Sequence, residues 1–211
     1  MLFRSVLQEM DWRLHRRLFG CNATSMRSWI LFILYFIMEI YLVRHIEPAI
    51  EKGICYGQLD VAIPDNYQLQ HQQIMNELPN DFDAIFSSPL SRCKQLAKHI
   101  SNNVIYDKRL MEVNFGDWDG KKWDEINQSD LNTWMNNYIT AAPPNGESLT
   151  DVLNRFSDFI AEIKTKHHNK VLIVAHAGII RCAMNLFDDV AIDKIMMEKV
   201  SFGGISKFNV Y

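Results

Sequence analysis

The sequence predicts an α/β domain of three layers, a three-layer α/β/α sandwich in which helices cover both faces of a mostly parallel sheet and a small helical cap lies at one end. Two stretches carry this prediction. Each is an apolar run that closes on a histidine: residues 39–45 end on Arg44 and His45, and residues 170–176 end on His176. Because ligands of open parallel sheets bind beyond the carboxyl ends of the strands, we expect both histidines to line one pocket.

Composition and charge narrow the classes of function. The chain has 211 residues, of which 48% are hydrophobic and 22% charged, as is usual for one globular domain. A formal net charge of −3 argues against nucleic acid or an anionic membrane as the main partner and favours a small molecule. The four cysteines include no C-x-x-C pair, so we expect buried thiols in a reducing, cytoplasmic environment; they are Cys21, Cys55, Cys93 and Cys182.

Residues 1–37 are expected to be an extension that precedes a domain over residues 38–211. Several arginines come before the apolar run Trp29 to Met38, in an order that imitates a signal peptide or a membrane anchor. This run has ten residues, whereas a membrane span needs about 20. We therefore interpret Met38 as a candidate start and residues 1–37 as an upstream translated leader, with a membrane tether through residues 29–38 as the alternative.

Glycine, proline and capping residues, together with the spacing of apolar residues, predict the elements after the first strand. Residues 49–63 form a loop with glycines, and a helix is expected over residues 64–78, followed by a strand over residues 83–88. Ser88 as N-cap and Pro89 at the first helical position predict the next helix, and a third strand follows at residues 103–106. Arg92 falls in the first turn of that helix, where free amides and the helix dipole already favour an anion.

The second half of the domain contains the predicted cap. Residues 111–146 hold two short helical patterns and several tryptophans, which are more often core residues than substrate contacts. Ser148 and Asp151 resemble a capping box and begin a long amphipathic helix. A helical pattern follows His176, and residues 204–211 are expected to form an edge strand.

The candidate site combines Arg44, His45, Arg92, Glu112 and His176. Two guanidinium groups in one crevice can neutralise a dianion, and the arginine fork suits phosphate oxygens. A neutral imidazole can attack phosphorus when an acceptor fixes its second nitrogen, and a carboxylic acid such as Glu112 can protonate the leaving alkoxide. This chemistry needs no metal or other cofactor, and the histidines lack zinc-ligand spacing. Glu147 is a further candidate, although it can also be read as a charge that compensates the adjacent helix terminus.

Five ordered motifs resemble those of the histidine phosphatase superfamily, which has the phosphoglycerate-mutase-like fold. The resemblance covers residues 38–211 and implies that His45 is the phosphorylated nucleophile, that Arg44, Arg92 and His176 bind phosphate, and that Glu112 is the proton donor. The motifs are Leu42-Val-Arg-His45, Ser87-Ser-Pro-Leu-Ser-Arg92, Glu112 before Phe115-Gly-Asp-Trp-Asp-Gly120, Gly146-Glu-Ser148 and Val174-Ala-His176.

Within this superfamily, three segments are most similar to alpha-ribazole phosphatases: Arg44-His-Ile-Glu-Pro48, Gly53-Ile-Cys-Tyr-Gly-Gln-Leu-Asp60 and Asn114-Phe-Gly-Asp-Trp118. This similarity implies removal of the 5′-phosphate of alpha-ribazole phosphate in the assembly of the lower ligand of cobalamin. The enzymatic alternatives are a broad-specificity histidine phosphatase and a phosphoglycerate mutase, whose family usually carries a longer insertion before the Gly-Glu-Ser motif. A phosphate-binding scaffold protein that has kept the fold is the non-enzymatic alternative.

The sequence departs from the family pattern near the expected phosphate. Ile46 replaces the glycine that usually follows the first histidine, and Ala177 separates His176 from Gly178. An asparagine that is common after the first histidine is also missing, and Gly57 or Gln58 is a candidate to replace it.

Overall fold

A five-stranded sheet forms the centre of the computed structural model, which describes residues 37–211. Its strand order is β3-β2-β4-β1-β5, and only β5 runs antiparallel to its neighbour. The mostly parallel sheet and the edge position of the last strand are thus confirmed. The expectation of a leader over residues 1–37 concerns a segment that lies, apart from Ile37, outside the described residues. The strands are β1 (Met38–Arg44), β2 (Ala84–Ser87), β3 (Ile105–Tyr106), β4 (Lys170–Ala175) and β5 (Ile205–Val210).

Apolar side chains of the central strands enter two separate cores, one on each face of the sheet. Successive residues of a strand point to opposite faces, so Ile173 packs in one core while Leu172 and Val174 pack in the other. The first core also contains residues of α4 and α5, and the second contains residues of α1 and α2. The three-layer arrangement is therefore confirmed. The helices described are α1 (Tyr67–Glu77), α2 (Ser91–Ile100), α3 (Gln128–Asn137), α4 (Leu149–Lys164) and α5 (Ala177–Phe187).

The register of the three middle strands brings their carboxyl ends together. Arg44 pairs with Ala175, and Ser87 pairs with Val174. Each strand is followed by one polar residue that is at most 2% exposed: His45 after β1, Ser88 after β2 and His176 after β4. The prediction that two histidines meet at one edge of the sheet is correct.

The predicted capping box at the start of α4 is confirmed. The Ser148 hydroxyl accepts from the Asp151 amide at 3.2 Å, and the Asp151 carboxylate accepts from the Ser148 amide at 2.9 Å. The amphipathic character predicted for this helix is also confirmed, because most of its apolar side chains are buried, including Phe156 and Ile160. Local signals were sufficient here because both partners lie within one helical turn.

The prediction for the start of α2 was wrong. Ser88 is not its N-cap, and Pro89 is not its first residue; the helix begins at Ser91. The carboxylate of Asp60 accepts from the Ser91 amide at 2.8 Å and from the Ser91 hydroxyl at 2.7 Å. This cap comes from a distant loop, so the local pattern could not reveal it.

The cap has a small core of its own. Trp134 packs against Trp118 and Trp123, and Trp118 also packs with the buried Cys55 and Ile126. The tryptophans are thus core residues of the cap, which is the more common role for tryptophan. Among residues 37–211, no helix has the length and apolar character that a membrane crossing requires.

Candidate functional site

The ring of His45 is held in one orientation by the backbone. Its Nδ1 lies 2.6 Å from the carbonyl oxygen of Ile46. Because a carbonyl oxygen only accepts, Nδ1 carries the proton, and the lone pair of the neutral ring is on Nε2. Burial, together with the charge of Arg92, lowers the pKa of His45 to about 3, so the ring is neutral near pH 7.

This hydrogen bond also explains how Ile46 can occupy the position at which the family resemblance implies glycine. The contact to His45 uses the backbone oxygen of Ile46, which every residue type supplies. The side chain of Ile46 is 1% exposed and packs in the core beside Val43 and Cys93. Isoleucine therefore contributes to packing without removing the acceptor.

We expect His45 to stay in its neutral, Nδ1-protonated form from about pH 8 down to about pH 5, whereas an unperturbed histidine would gain a proton near pH 6.5. The sign follows from burial, which disfavours the charged ring and moves its titration to lower pH. Long-range nitrogen–proton NMR of imidazole-labelled protein, with His45→Gln to assign the signal, measures this directly. A His45 signal that titrates above about pH 6 would contradict the assignment.

Arg92 lies directly opposite the lone pair of His45. Its Nε donates to His45 Nε2 at 3.3 Å, and its side chain is 0% exposed. The two terminal nitrogens donate to the carbonyl oxygens of Leu59 and Gly57, at 2.9 Å and 2.7 Å. A Cβ on Gly57 would overlap the carbonyl oxygen of Val113, so only glycine lets this loop approach Arg92 and the segment after Glu112 together.

Arg44 approaches the same site from β1. Its Nη1 donates to the carbonyl oxygen of Val200 at 2.6 Å, and its guanidinium lies 3.6 Å from the centre of the Phe202 ring. The buried Nε has no hydrogen-bond partner within the described part of the chain. The Nε–H group of Arg44 is thus unpaired among residues 37–211, beside the other residues of the predicted site.

His176 completes the strand-end cluster. Its ring centre lies 5.1 Å from that of His45, and its Nε2 lies 2.8 Å from the Ser88 hydroxyl. Burial lowers the pKa of His176 well below its usual value, and the His45 ring and Arg92 lower it further. The structure therefore brings Arg44, His45, Arg92 and His176 together, as the sequence predicted.

Glu112 is held at the beginning of α5. Its Oε1 accepts from the amides of Val113 and Gly178, each at 3.1 Å. A Cβ at residue 178 would overlap this oxygen, so the close approach requires glycine. Because Ala177 is the first residue of α5, Gly178 is the second, and its amide reaches Glu112.

Gln58 and Glu147 lie near Glu112. The Gln58 side chain donates to the Glu112 carbonyl oxygen at 2.9 Å. The Glu147 carboxylate pairs with Arg155, whose Nε lies 2.9 Å from Glu147 Oε1. Both side chains therefore contact the chain around Glu112, and neither is shown in contact with His45.

Four residues beside the site were missed in the sequence. Ser88 contacts His176, and Arg155 contacts the segment around Glu112. The Tyr56 ring centre lies 5.6 Å from the Arg92 guanidinium, and the Phe202 ring centre lies 5.7 Å from that of His45. Tyr56 carried a weak signal, a position between two glycines of a loop, and Ser88 directly follows a predicted strand and lies in one of the quoted motifs. Arg155 and Phe202 had no such signal. Within residues 37–211, no three His, Cys, Asp or Glu side chains are grouped as metal ligands.

Comparison with known proteins connects this geometry to a family. The family model described as histidine phosphatase superfamily (branch 1) matches residues 40–211. Phosphoserine phosphatase 1 of Hydrogenobacter thermophilus is 30% identical, over 66% of this chain and 71% of its own length. Adenosylcobalamin/alpha-ribazole phosphatase of Escherichia coli is 27% identical, over 68% of this chain and 75% of its own. A crystal structure of alpha-ribazole phosphatase from Shigella flexneri is 25% identical with a TM-score of 0.72, covering 81% of this chain and 89% of that one.

Proposed function

Since the chain belongs to the histidine phosphatase superfamily (branch 1), we propose that it hydrolyses phosphomonoesters through a phosphohistidine formed on His45. One observation carries the proposal above the others. The neutral ring of His45 presents its lone pair on Nε2, and a buried arginine lies 3.3 Å from that atom. A nucleophile and a cation suited to binding phosphate thus lie side by side.

In the first half-reaction, the dianionic phosphate binds between Arg44, Arg92 and His176. The Arg92 N–H group moves from His45 Nε2 to a phosphate oxygen, which frees the lone pair. Nε2 then attacks phosphorus, so that an N–P bond forms while the P–O bond to the leaving group breaks. Glu112 donates its proton to the departing alkoxide oxygen, and the alcohol leaves.

In the second half-reaction, water attacks the phosphohistidine. The Glu112 carboxylate takes a proton from this water, the N–P bond breaks with its electron pair returning to Nε2, and inorganic phosphate leaves. The proton stays on Nδ1 throughout, and the Ile46 carbonyl oxygen accepts its hydrogen bond. The same carboxyl group thus serves as acid and then as base, which restores the starting protonation state.

The favoured substrate is alpha-ribazole 5′-phosphate. The resemblance of residues 53–60 to alpha-ribazole phosphatases supports this choice, as do the relatives from E. coli and S. flexneri. The aromatic rings of Tyr56 and Phe202 flank the site arginines, and Phe202 is 37% exposed. Flat apolar rings of this kind suit an aromatic base on the leaving group.

Phosphoserine is the second candidate, because the relative from H. thermophilus is named for that substrate. Its leaving group is small and doubly charged, whereas the rings of Tyr56 and Phe202 carry no charge to match it. A broad-specificity phosphatase is the third outcome that the substrate test distinguishes.

The proposal assigns the activity to residues 38–211, which hold all five motifs, and it requires neither a metal nor another cofactor. The partner is a small phosphate ester, and the proposed location is the cytoplasm.

We expect alpha-ribazole 5′-phosphate to be hydrolysed with a kcat/KM at least about tenfold above that of phosphoserine or 3-phosphoglycerate, since recognition of the base adds binding energy in the transition state. Phosphate release is measured in the presence of a metal chelator, with Phe202→Ala to test the aromatic contact. A preference for phosphoserine would move the assignment to that substrate. Equal rates on all esters would establish a broad phosphatase, and background rates throughout would support a binding protein.

A further inference from the structure

We infer that Arg155, on helix α4, is a positioning residue that sets the geometry of the proton donor, acting with Glu147 and Gln58. This inference rests on the proposed role of Glu112 and deepens it. The segment 109–114, which carries Glu112, is called the donor loop below.

Arg155 binds the donor loop at three carbonyl oxygens. Its Nη1 donates to the carbonyl oxygens of Arg109 at 2.6 Å and Met111 at 2.7 Å, and its Nη2 donates to that of Glu112 at 3.0 Å. The side chain is 16% exposed, so water competes little for these contacts. A planar guanidinium can make this set of bonds, whereas the single ammonium group of lysine lacks the fork.

Glu147 fixes the guanidinium and also the far end of the donor loop. Its carboxylate accepts from Arg155 Nε at 2.9 Å, from Arg155 Nη2 at 3.1 Å and from the Asn114 amide at 2.9 Å. The Glu147 amide donates in turn to the Asn114 carbonyl at 2.8 Å. The donor loop is thus bound on both sides of Glu112.

Gln58 supplies the remaining contact. Its amide donates to the Glu112 carbonyl oxygen at 2.9 Å and lies 3.4 Å from the Glu147 carboxylate. The Glu112 backbone therefore accepts from two side chains, while the Glu112 carboxylate accepts from backbone amides. The three positioning side chains hold the backbone of the proton donor and make none of the described hydrogen bonds to its carboxylate.

This division gives a readout that a purely structural role would not produce. An alkoxide leaving group needs the proton from Glu112, whereas an acidic phenolate such as 4-nitrophenolate departs without it. A displaced donor therefore slows alkyl phosphates selectively. The ratio of kcat/KM is the right quantity, because it reports steps up to the departure of the first product and excludes the later hydrolysis, in which Glu112 acts as base.

The experiment measures kcat/KM for an alkyl phosphate and for 4-nitrophenyl phosphate in wild type, Arg155→Lys and Glu147→Gln. We expect either substitution to lower the alkyl value by about 10- to 100-fold, the loss that a misplacement near 1 Å produces, and to lower the aryl value by less than about threefold. Arg109→Lys is the matched control. The Arg109 side chain pairs with Asp107 and with Glu162 of α4, and it makes none of the described bonds to residues 111–114. The substitution keeps the Arg109 carbonyl oxygen that Arg155 binds.

Two results would overturn the inference in distinguishable ways. Equal losses on both substrates in Arg155→Lys and Glu147→Gln, while Glu112→Gln keeps its selective effect, would show that the pair is only structural. An absence of selectivity in Glu112→Gln itself would show that the proton-donor assignment fails. If Arg155→Lys does not fold, Glu147→Gln alone decides, since it keeps the shape of the carboxylate and weakens its hold on Arg155.

Discussion

Replacement of His45 by alanine is expected to lower kcat by at least about 10⁴-fold, because it removes the only atom that attacks phosphorus in the proposed first step. The two arginines and His176 would still bind phosphate, so the variant should retain affinity for inorganic phosphate. Release of phosphate from an alkyl ester, with a metal chelator present, measures the rate.

Two control variants separate the loss of the nucleophile from other effects of substitution. His99→Ala removes a histidine on α2 that lies outside the site, and it should keep the wild-type rate. His45→Gln avoids the cavity that alanine leaves at a position only 2% exposed. Substantial turnover in well-folded His45→Ala and His45→Gln would contradict the role of His45.

Replacement of Glu112 by glutamine is expected to lower kcat/KM for alkyl phosphates by about 10²- to 10⁴-fold, the usual contribution of general acid catalysis. Glutamine keeps an oxygen that can accept from the Gly178 amide, so the change removes the transferable proton with little disturbance. The loss on 4-nitrophenyl phosphate should be far smaller, because its leaving group is stable without protonation.

Glu125→Gln serves as the matched control for this substitution, since Glu125 is an exposed carboxylate in the cap that bonds the Lys122 amide. It should behave as wild type on both substrates. Equal losses of Glu112→Gln on alkyl and aryl esters would indicate a role in binding or folding and would remove Glu112 as the proton donor.

The sequence was sufficient for those parts of the site that depend on strand ends. His45 and His176 could be placed because apolar runs of strand length end directly before them, and parallel strands end at one edge. Arg92 could be placed in the first turn of α2 although the start of that helix was predicted incorrectly. Its true cap, Asp60, lies 31 positions before Ser91 and leaves no local pattern.

Other parts depend on loops whose paths the sequence does not encode locally. Arg155 reads as one polar residue on the outer side of an amphipathic helix, and its contacts with the donor loop appear only after folding. Phe202 and Val200 come from the segment before β5 and meet Arg44 from a distance of more than 150 positions.

The departures at Ile46 and Ala177 illustrate a related limit. Both positions lie near the expected phosphate, and their residue types differ from the family pattern. In the folded chain, the contacts beside them are made by the Ile46 carbonyl and the Gly178 amide. At residue 46 the side chain is therefore a weak guide, because the backbone oxygen makes the contact, whereas residue 178 must be glycine for its amide to approach Glu112.

The most direct test of the central claim is to trap the phosphoenzyme. A radiolabelled phosphate ester is mixed with the enzyme, and the reaction is quenched after milliseconds. The quench is alkaline because phosphohistidine survives alkali and is lost in acid. The labelled peptide is then identified by mass spectrometry. The account predicts one label, on His45, that is absent from His45→Ala. A label on another residue would contradict the account. It would also be contradicted if the wild-type protein stayed unlabelled during turnover and the His45→Ala variant kept its activity.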